Sequence, residues 1–410
     1  MRLITVLLAL TLGAAPAIAQ QGAAPGAAGA PSAAGLTIRL GVPASTPSGA
    51  AIYVAGTFNN WNPADPHFRL APAGDGAYAI TLPDSIRGPV EFKFTLGSWD
   101  AGEADSSGRD LGNRTFTIPA SGPATWDGAV ARWHTGPAAP RVHTATASVS
   151  ILDTAFVIPE LGRTRRVWLY LPPDYATSHR RYPVLYLHDG QNVFDAATSY
   201  AGEWGVDETL DSLHALADPG VIVVAVDNGG AERANEYMPF PSAVGNWGGG
   251  EGGKYVDFLA RTLKPYVDAH YRTLRDPAHT GIGGSSLGGL ISFYAVMKYP
   301  EVFGRAIVFS SPFFLNPTLY TMARAFRQPR THVRFYFDMG ADEGIGEQGL
   351  PDHAMARSQR AMMDTLAAAG VDTLRDVRNL LPADGQHREW FWRREFPGAY
   401  SYLFGKTTGR

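Results

Sequence analysis

The segment Ala278-His-Thr-Gly-Ile-Gly-Gly-Ser-Ser-Leu-Gly-Gly-Leu-Ile-Ser-Phe-Tyr-Ala-Val-Met297 decides how the rest of the chain is read. Within it, Gly284-Ser285-Ser286-Leu287-Gly288 fits the pattern G-x-S-x-G with Ser286 at its centre. Ser285 does not fit, because Leu287 stands where its second glycine would be. Ala278–Gly283 reads as a short strand and Leu290–Met297 as a helix. A chain that turns sharply from strand into helix projects the central hydroxyl, and small flanking residues tolerate the crowded backbone. The helix N-terminus adds partial positive charge where negative charge would develop in a reaction.

Outward from this turn the pattern is one of alternation. Val167-Trp-Leu-Tyr-Leu, Val184-Leu-Tyr-Leu, Val221-Ile-Val-Val-Ala-Val, Ala306-Ile-Val-Phe and Val333-Arg-Phe-Tyr-Phe are short, nearly continuous apolar runs. Such runs suit strands buried on both faces. Between them, Tyr255, Phe258, Leu259, Leu263, Tyr266 and Val267 recur at helical spacing. Alternating strands and helices predict a mainly parallel sheet flanked by helices.

A serine hydroxyl needs a base, and the base needs an orienting acid. In α/β-hydrolases the chain order is serine, acid, histidine. Asp342 or Glu343, in the loop after the strand ending at Asp338, can supply the acid. His387 lies in a glycine-containing loop before a final apolar helix, whereas His353 falls in a helical stretch. An oxyanion requires two backbone donors: Leu287 N–H directly after the serine, and Gln191 N–H in the loop following Tyr186-Leu-His-Asp-Gly.

The N-terminal third reads differently. Met1–Ala19 has a basic start, an apolar run and an Ala17-Ile-Ala19 cleavage site, so it is expected to be a secretory leader. The run is too short to span a bilayer comfortably, so no transmembrane segment is expected after cleavage. Residues 20–35 are nearly all Ala, Gly, Pro, Ser and Gln and read as a tether. Residues 36–133 carry short alternating runs separated by Gly, Pro, Asn and Asp, which predicts an all-β sandwich. Residues 134–142 read as a linker and 143–406 as the catalytic domain.

Composition removes competing classes. With no cysteine among 410 residues, a disulfide scaffold, a thiolate metal site and a cysteine nucleophile are excluded. A net charge of −3 gives no global attraction to nucleic acid, and none is expected as a partner. No acidic spacing matches a calcium loop, and neither a metal nor a cofactor is expected.

Residues from about 150 to 406 resemble the esterase D / enterochelin esterase-like group of α/β-hydrolases. The resemblance rests on His188-Asp-Gly-Gln-Asn192, Gly202-Glu-Trp-Gly-Val-Asp-Glu208, Asp227-Asn-Gly-Gly230, Arg233 with Glu236-Tyr237, Gly283–Gly289, and His387 with Glu389 and Trp392. It implies an α/β-hydrolase and a serine ester hydrolase acting through an acyl-enzyme. It favours Glu343, three residues after Gly340, as the acid. Leu287 departs from the methionine usual after the nucleophile. Trp204, Arg233, Glu236 and Tyr237 are expected around the serine as substrate contacts, with a structural ion pair and packed aromatics as the other reading of these residues.

Residues 36–133 resemble starch- or glycogen-binding immunoglobulin-like modules, on Val54-Ala-Gly-Thr-Phe-Asn-Asn-Trp61-Asn-Pro63, Phe92–Trp99 and Asn113-Arg114. That resemblance implies glucan or other carbohydrate binding by Trp61, Trp99 and Asn113. The expectation is therefore an exported, periplasmic or extracellular esterase for carbohydrate-linked acyl or feruloyl esters. A siderophore trilactone esterase, an acyltransferase to a sugar hydroxyl and a carbohydrate-binding protein with an inactive hydrolase domain are the alternatives.

Overall fold

A computed structural model describes residues 35–405 apart from 60, 75, 107, 109–110, 112, 135–141, 201, 245–246, 330–332, 342 and 344–352. The expected leader, nearly all of the tether and most of the linker lie outside the described residues.

The N-terminal region is β-rich. Its strands are β1 (Leu36–Gly41), β2 (Ile52–Gly56), β3 (Arg69–Gly74), β4 (Ala77–Thr81), β5 (Gly88–Thr95), β6 (Glu103–Ala104), β7 (Arg114–Ile118), β8 (Ala124–Ala129) and β9 (Arg132–Trp133). Seven of them hydrogen-bond in the order β7-β5-β2-β3-β4-β1-β8, and β6 pairs with β9. β3 passes between two halves: Arg69 and Leu70 pair with β2, whereas Ala71, Pro72 and Gly74 pair with β4. Alternation builds the core, because successive strand residues face opposite sides. Leu36, Ile38 and Leu40 of β1 meet Val90, Phe92 and Phe94 of β5 in one buried cluster, while Arg39 points outward.

The second region holds β10 (Val149–Ile158), β11 (Arg163–Tyr170), β12 (Val184–Leu187), β13 (Ile222–Val226), β14 (Thr280–Ser285), β15 (Arg305–Phe309), β16 (Arg334–Asp338) and β17 (Val377–Leu380). Their order is β10-β11-β13-β12-β14-β15-β16-β17. β10 and β11 are antiparallel neighbours, β11 is antiparallel to β13, and every later pair is parallel. The sheet is buried on both faces. Val184 and Tyr186 face one apolar cluster and Leu185 and Leu187 the other; Ile222, Val224 and Val226 divide from Val223 and Ala225 in the same way. Each such buried aliphatic side chain contributes on the order of 1.5–3 kcal/mol. This is the mainly parallel sheet expected from the apolar runs, in the α/β-hydrolase-like form that the resemblance implied. β14 begins at Thr280 rather than Ala278, because Pro277–His279 form a 3-10 turn with proline at its first position.

Register fixes where chemistry can occur. Ser285 pairs with Phe309, and Phe309 with Asp338, at the C-terminal ends of three parallel strands. The next residues, Ser286, Ser310 and Met339, therefore leave the sheet along one edge, the edge at which open α/β sheets bind ligands. No helix among the described residues is long and apolar enough to cross a membrane.

Candidate active site

Ser286 has φ 56° and ψ −125°, a conformation that non-glycine residues adopt at a cost. It is the residue between β14 and the helix Leu287–Lys298, and its N–H donates to Phe309 O at 2.8 Å. The tight turn needs Gly284: a Cβ there would lie 2.9 Å from the Gly288 carbonyl carbon. Strand, elbow and helix thus follow the motif, and the hydroxyl is carried at the sheet edge.

The strand ends connect this serine to the other candidates. Glu343 is buried, and its Oε1 accepts from Gly340 N–H at 2.8 Å and from the Ser310 hydroxyl at 2.8 Å. Its Oε2 lies 3.0 Å from His387 Nδ1. That contact uses Nδ1 of the imidazole and leaves Nε2 on the side of the ring away from Glu343. The Trp392 indole N–H donates to Ser310 Oγ at 2.9 Å, and the same indole meets the His387 ring edge-on at 5.2 Å. Asp342, the other candidate acid, lies outside the described residues. His353 precedes the helix Ala354–Ala368 and its Nδ1 faces Ala341 O. Neither Ser310 nor Trp392 was among the expected site residues; the polar pair Ser310-Ser311 directly after a buried apolar run was the available signal.

The second candidate backbone donor sits on a braced turn. Asp189 has φ 55°, and Gly190–Asn192 form a 3-10 turn that carries Gln191. Leu287 and Gln191 both occupy first turns, whose N–H groups have no acceptor within their own helix. Gln191 Oε1 accepts from Asn228 N–H at 3.2 Å, and Gln191 O accepts from the Thr198 hydroxyl at 2.7 Å. The Asp189 carboxylate receives Arg233 Nε at 2.7 Å, Arg233 Nη2 at 2.9 Å and Asn228 Nδ2 at 2.7 Å. Burial alone would raise the Asp189 carboxyl, but the Arg233 charge and these donors outweigh it and hold it below the ordinary range. His188, beside it, is pushed down to about 3 by burial and donates or accepts only at Tyr255 OH, 3.1 Å away. A buried neutral imidazole without a carboxylate partner is no competitor to His387 as base.

The remaining expected contacts separate by depth. Glu236 and Tyr237 are fully buried, so neither offers a surface to a substrate. Glu236 pairs with Arg163 at 2.9 Å and with Arg165, and the Tyr237 hydroxyl accepts from Asp189 N–H at 3.1 Å. Their burial does not fit the expected substrate contacts and agrees with the other reading: Glu236 forms the ion pair with the β11 arginines, and Tyr237 packs beneath Arg233. Trp204 is likewise buried, packed against Phe309 and Trp392 with ring centroids 5.6 and 6.1 Å apart. Arg233 is spent on Asp189 and lies over the Tyr237 ring at 5.1 Å. Glu389, at the start of the helix Glu389–Phe404, faces the His387 and Arg233 charges, and burial raises its carboxyl above the ordinary range. In the N-terminal region, Trp61 and Trp99 are half-buried with ring centroids 6.2 Å apart, outside the apolar core. Asn113 is exposed and donates to Glu91 at 2.7 Å. Among the described residues no group of three or more His, Asp or Glu side chains is placed to hold a metal ion.

Comparisons with known proteins bear on both regions. Protein YbbA of Bacillus subtilis, itself uncharacterized, is 27% identical over 248 residues, 59% of this chain and 94% of that one. An alpha-amylase of Niallia circulans is 47% identical over 105 residues, 26% of this chain and 8% of that protein. Among solved structures, an IroE-like serine hydrolase from Shewanella oneidensis has a TM-score of 0.49 at 19% identity, covering 62% of this chain and 79% of that one. The family model described as "Putative esterase" matches residues 158–403, more than half of the chain, from the end of β10 into the last helix. The chain belongs to this esterase family and is an ester hydrolase.

Proposed function

We propose that the chain is an exported serine esterase in which Ser286 is the nucleophile, His387 the base and Glu343 the orienting acid. The observation that carries this reading is the 3.0 Å contact between His387 Nδ1 and a Glu343 carboxylate already held by two donors. It fixes the imidazole tautomer and favours the imidazolium. His387 Nε2 removes the Ser286 proton as Oγ bonds to the ester carbonyl carbon. The carbonyl oxygen becomes an oxyanion between Leu287 N–H and Gln191 N–H. Collapse breaks the ester C–O bond, and the leaving alcohol takes the proton from His387. Water then attacks the acyl-enzyme by the same route, releasing the acid and restoring Ser286.

The N-terminal region, in this reading, is an immunoglobulin-like carbohydrate-binding module that directs the enzyme to a sugar polymer bearing acyl or feruloyl esters. The paired, partly exposed rings of Trp61 and Trp99 support it, as does the 105-residue likeness to an alpha-amylase. The leader-like Met1–Ala19 supports export.

Rapid-mixing kinetics with p-nitrophenyl acetate test the chemistry. A burst of nitrophenol equal to the enzyme concentration is expected, and Ser286→Ala is expected to abolish it and lower kcat on the order of 10⁶-fold. A Ser286→Ala variant that keeps the burst would exclude Ser286 as nucleophile.

A further inference from the structure

We propose that Tyr200 is a carbohydrate-binding residue, the third ring of a platform that carries one pyranose chain from Trp61 and Trp99 of the N-terminal region onto the loop beside His387. The inference rests on the sugar-binding reading of Trp61 and Trp99 and gives that reading a direction. The Trp99 ring lies 6.4 Å from the Tyr200 ring and meets it edge-on, across the two regions of the chain. Trp61 lies 6.2 Å from the same Trp99 ring, tilted at 44° to it. Three neighbouring rings at changing tilt suit the apolar C–H faces of successive sugar rings, which rotate along a polysaccharide.

Two features argue against simple packing. Tyr200 is 64% exposed, whereas a ring that sealed a contact between regions would be covered. Trp61 has φ 56°, a strained conformation for a bulky residue, and it presents the indole outside the apolar core.

The loop that bears Tyr200 is tied to the candidate catalytic groups on both sides. Tyr200 N–H donates to Asn192 Oδ1 at 3.0 Å, and Asn192 follows Gln191. Two residues after Tyr200, Gly202 packs on Glu389 so closely that an added Cβ would lie 3.3 Å from the Glu389 Cβ. Glu389 is two residues beyond His387. A chain stacked on the three rings is therefore led to the edge where Ser286 and His387 lie. The substrate class that follows is a pyranose oligomer or polymer whose ester is borne on a sugar unit close to the stacked stretch.

Calorimetric titration of the full chain with maltoheptaose and, separately, with xylohexaose tests this. One of the two is expected to bind, and Tyr200→Ala is expected to weaken it by about threefold to tenfold. Tyr200→Phe, which keeps the ring, should bind as the unmutated protein does. Unchanged affinity in Tyr200→Ala, with affinity lost in Trp61→Ala or Trp99→Ala, would overturn the role of Tyr200 and leave the sugar-binding reading standing. Absence of binding to either sugar by the unmutated protein would remove both. A lowered melting midpoint in Tyr200→Ala together with equal weakening in Tyr200→Phe would also overturn it, since the residue would then act through the loop's structure.

Discussion

The Ser310 hydroxyl accepts from the Trp392 indole and donates to Glu343, so one small side chain joins the last helix to the acid. Ser310 also has φ 47° and is fully buried, a costly arrangement kept at the sheet edge. Ser310→Ala strands a buried indole N–H and frees one of the donors that orient Glu343. It should destabilise the protein by about 1–3 kcal/mol and, through Glu343, lower kcat about tenfold to a hundredfold. Chemical denaturation and steady-state kinetics check the two effects, and a kcat equal to that of the unmutated enzyme would show that Glu343 needs no such donor. At this scale motif and chain order singled out Ser286 and His387 as candidates, whereas they left Asp342 and Glu343 both open as the acid and only the family resemblance favoured Glu343. Ser310 was not legible, since its partners lie 33 and 82 residues away and only the fold brings them together.

The turn after β12 depends on the fork of the half-buried Arg233 on the buried Asp189. Removing the arginine leaves the buried, hydrogen-bonded Asp189 charge uncompensated. Arg233→Ala should therefore cost about 3–5 kcal/mol of stability. If the Gln191 donor is displaced with it, kcat should fall on the order of 10²–10³-fold. The double variant Arg233→Ala/Asp189→Asn should recover much of the stability, and urea melts of both variants measure this. Strand identities were legible here because runs buried on both faces have few alternatives, as in Ile222–Val226. The depth of a loop residue was not. Glu236 and Arg233 sit three residues apart on one short helix, Arg233–Tyr237, yet one is fully buried on the β11 arginines and the other, half-buried, braces the turn. Burial of that kind depends on β11 arginines that sequence spacing does not reveal.

Across the whole molecule, two buried carboxyls bend the pH dependence of stability in opposite senses. Asp189 is held below its unfolded value of about 3.9, so its stabilising contribution is present above that value and lost as pH falls through the lower folded one. Asp338 is fully buried, and burial followed by the nearby Glu395 and Glu343 carboxyls pushes its carboxyl up to about 8. It is protonated in the fold and ionised in the unfolded chain between about 4 and about 8, so stability falls as pH rises through that window. Asp338→Asn, neutral throughout, should flatten this decline, as melting midpoints from pH 4 to pH 8 would show. Equal slopes in the two proteins would mean that Asp338 titrates normally. The division into a β-rich region and an α/β region was legible from the change of rhythm near residue 142. The way the chain re-enters the second region was not. Thr144 donates to Glu203, Thr146 N–H to Asp207 at 2.7 Å and Ser148 to Asp211 at 3.0 Å, so a polar stretch is pinned beside the loop that carries Tyr200. Polar residues at the start of the 143–406 domain give no sign, in the sequence, of partners far along the chain.

The central claim is that Ser286 is an activated nucleophile, and labelling with a fluorophosphonate measures this most directly. In the folded protein the probe should add one equivalent to the peptide containing Ser286, slowed severely by His387→Ala and abolished by Ser286→Ala. A folded protein that stays unlabelled, or carries the label on another serine, would contradict it.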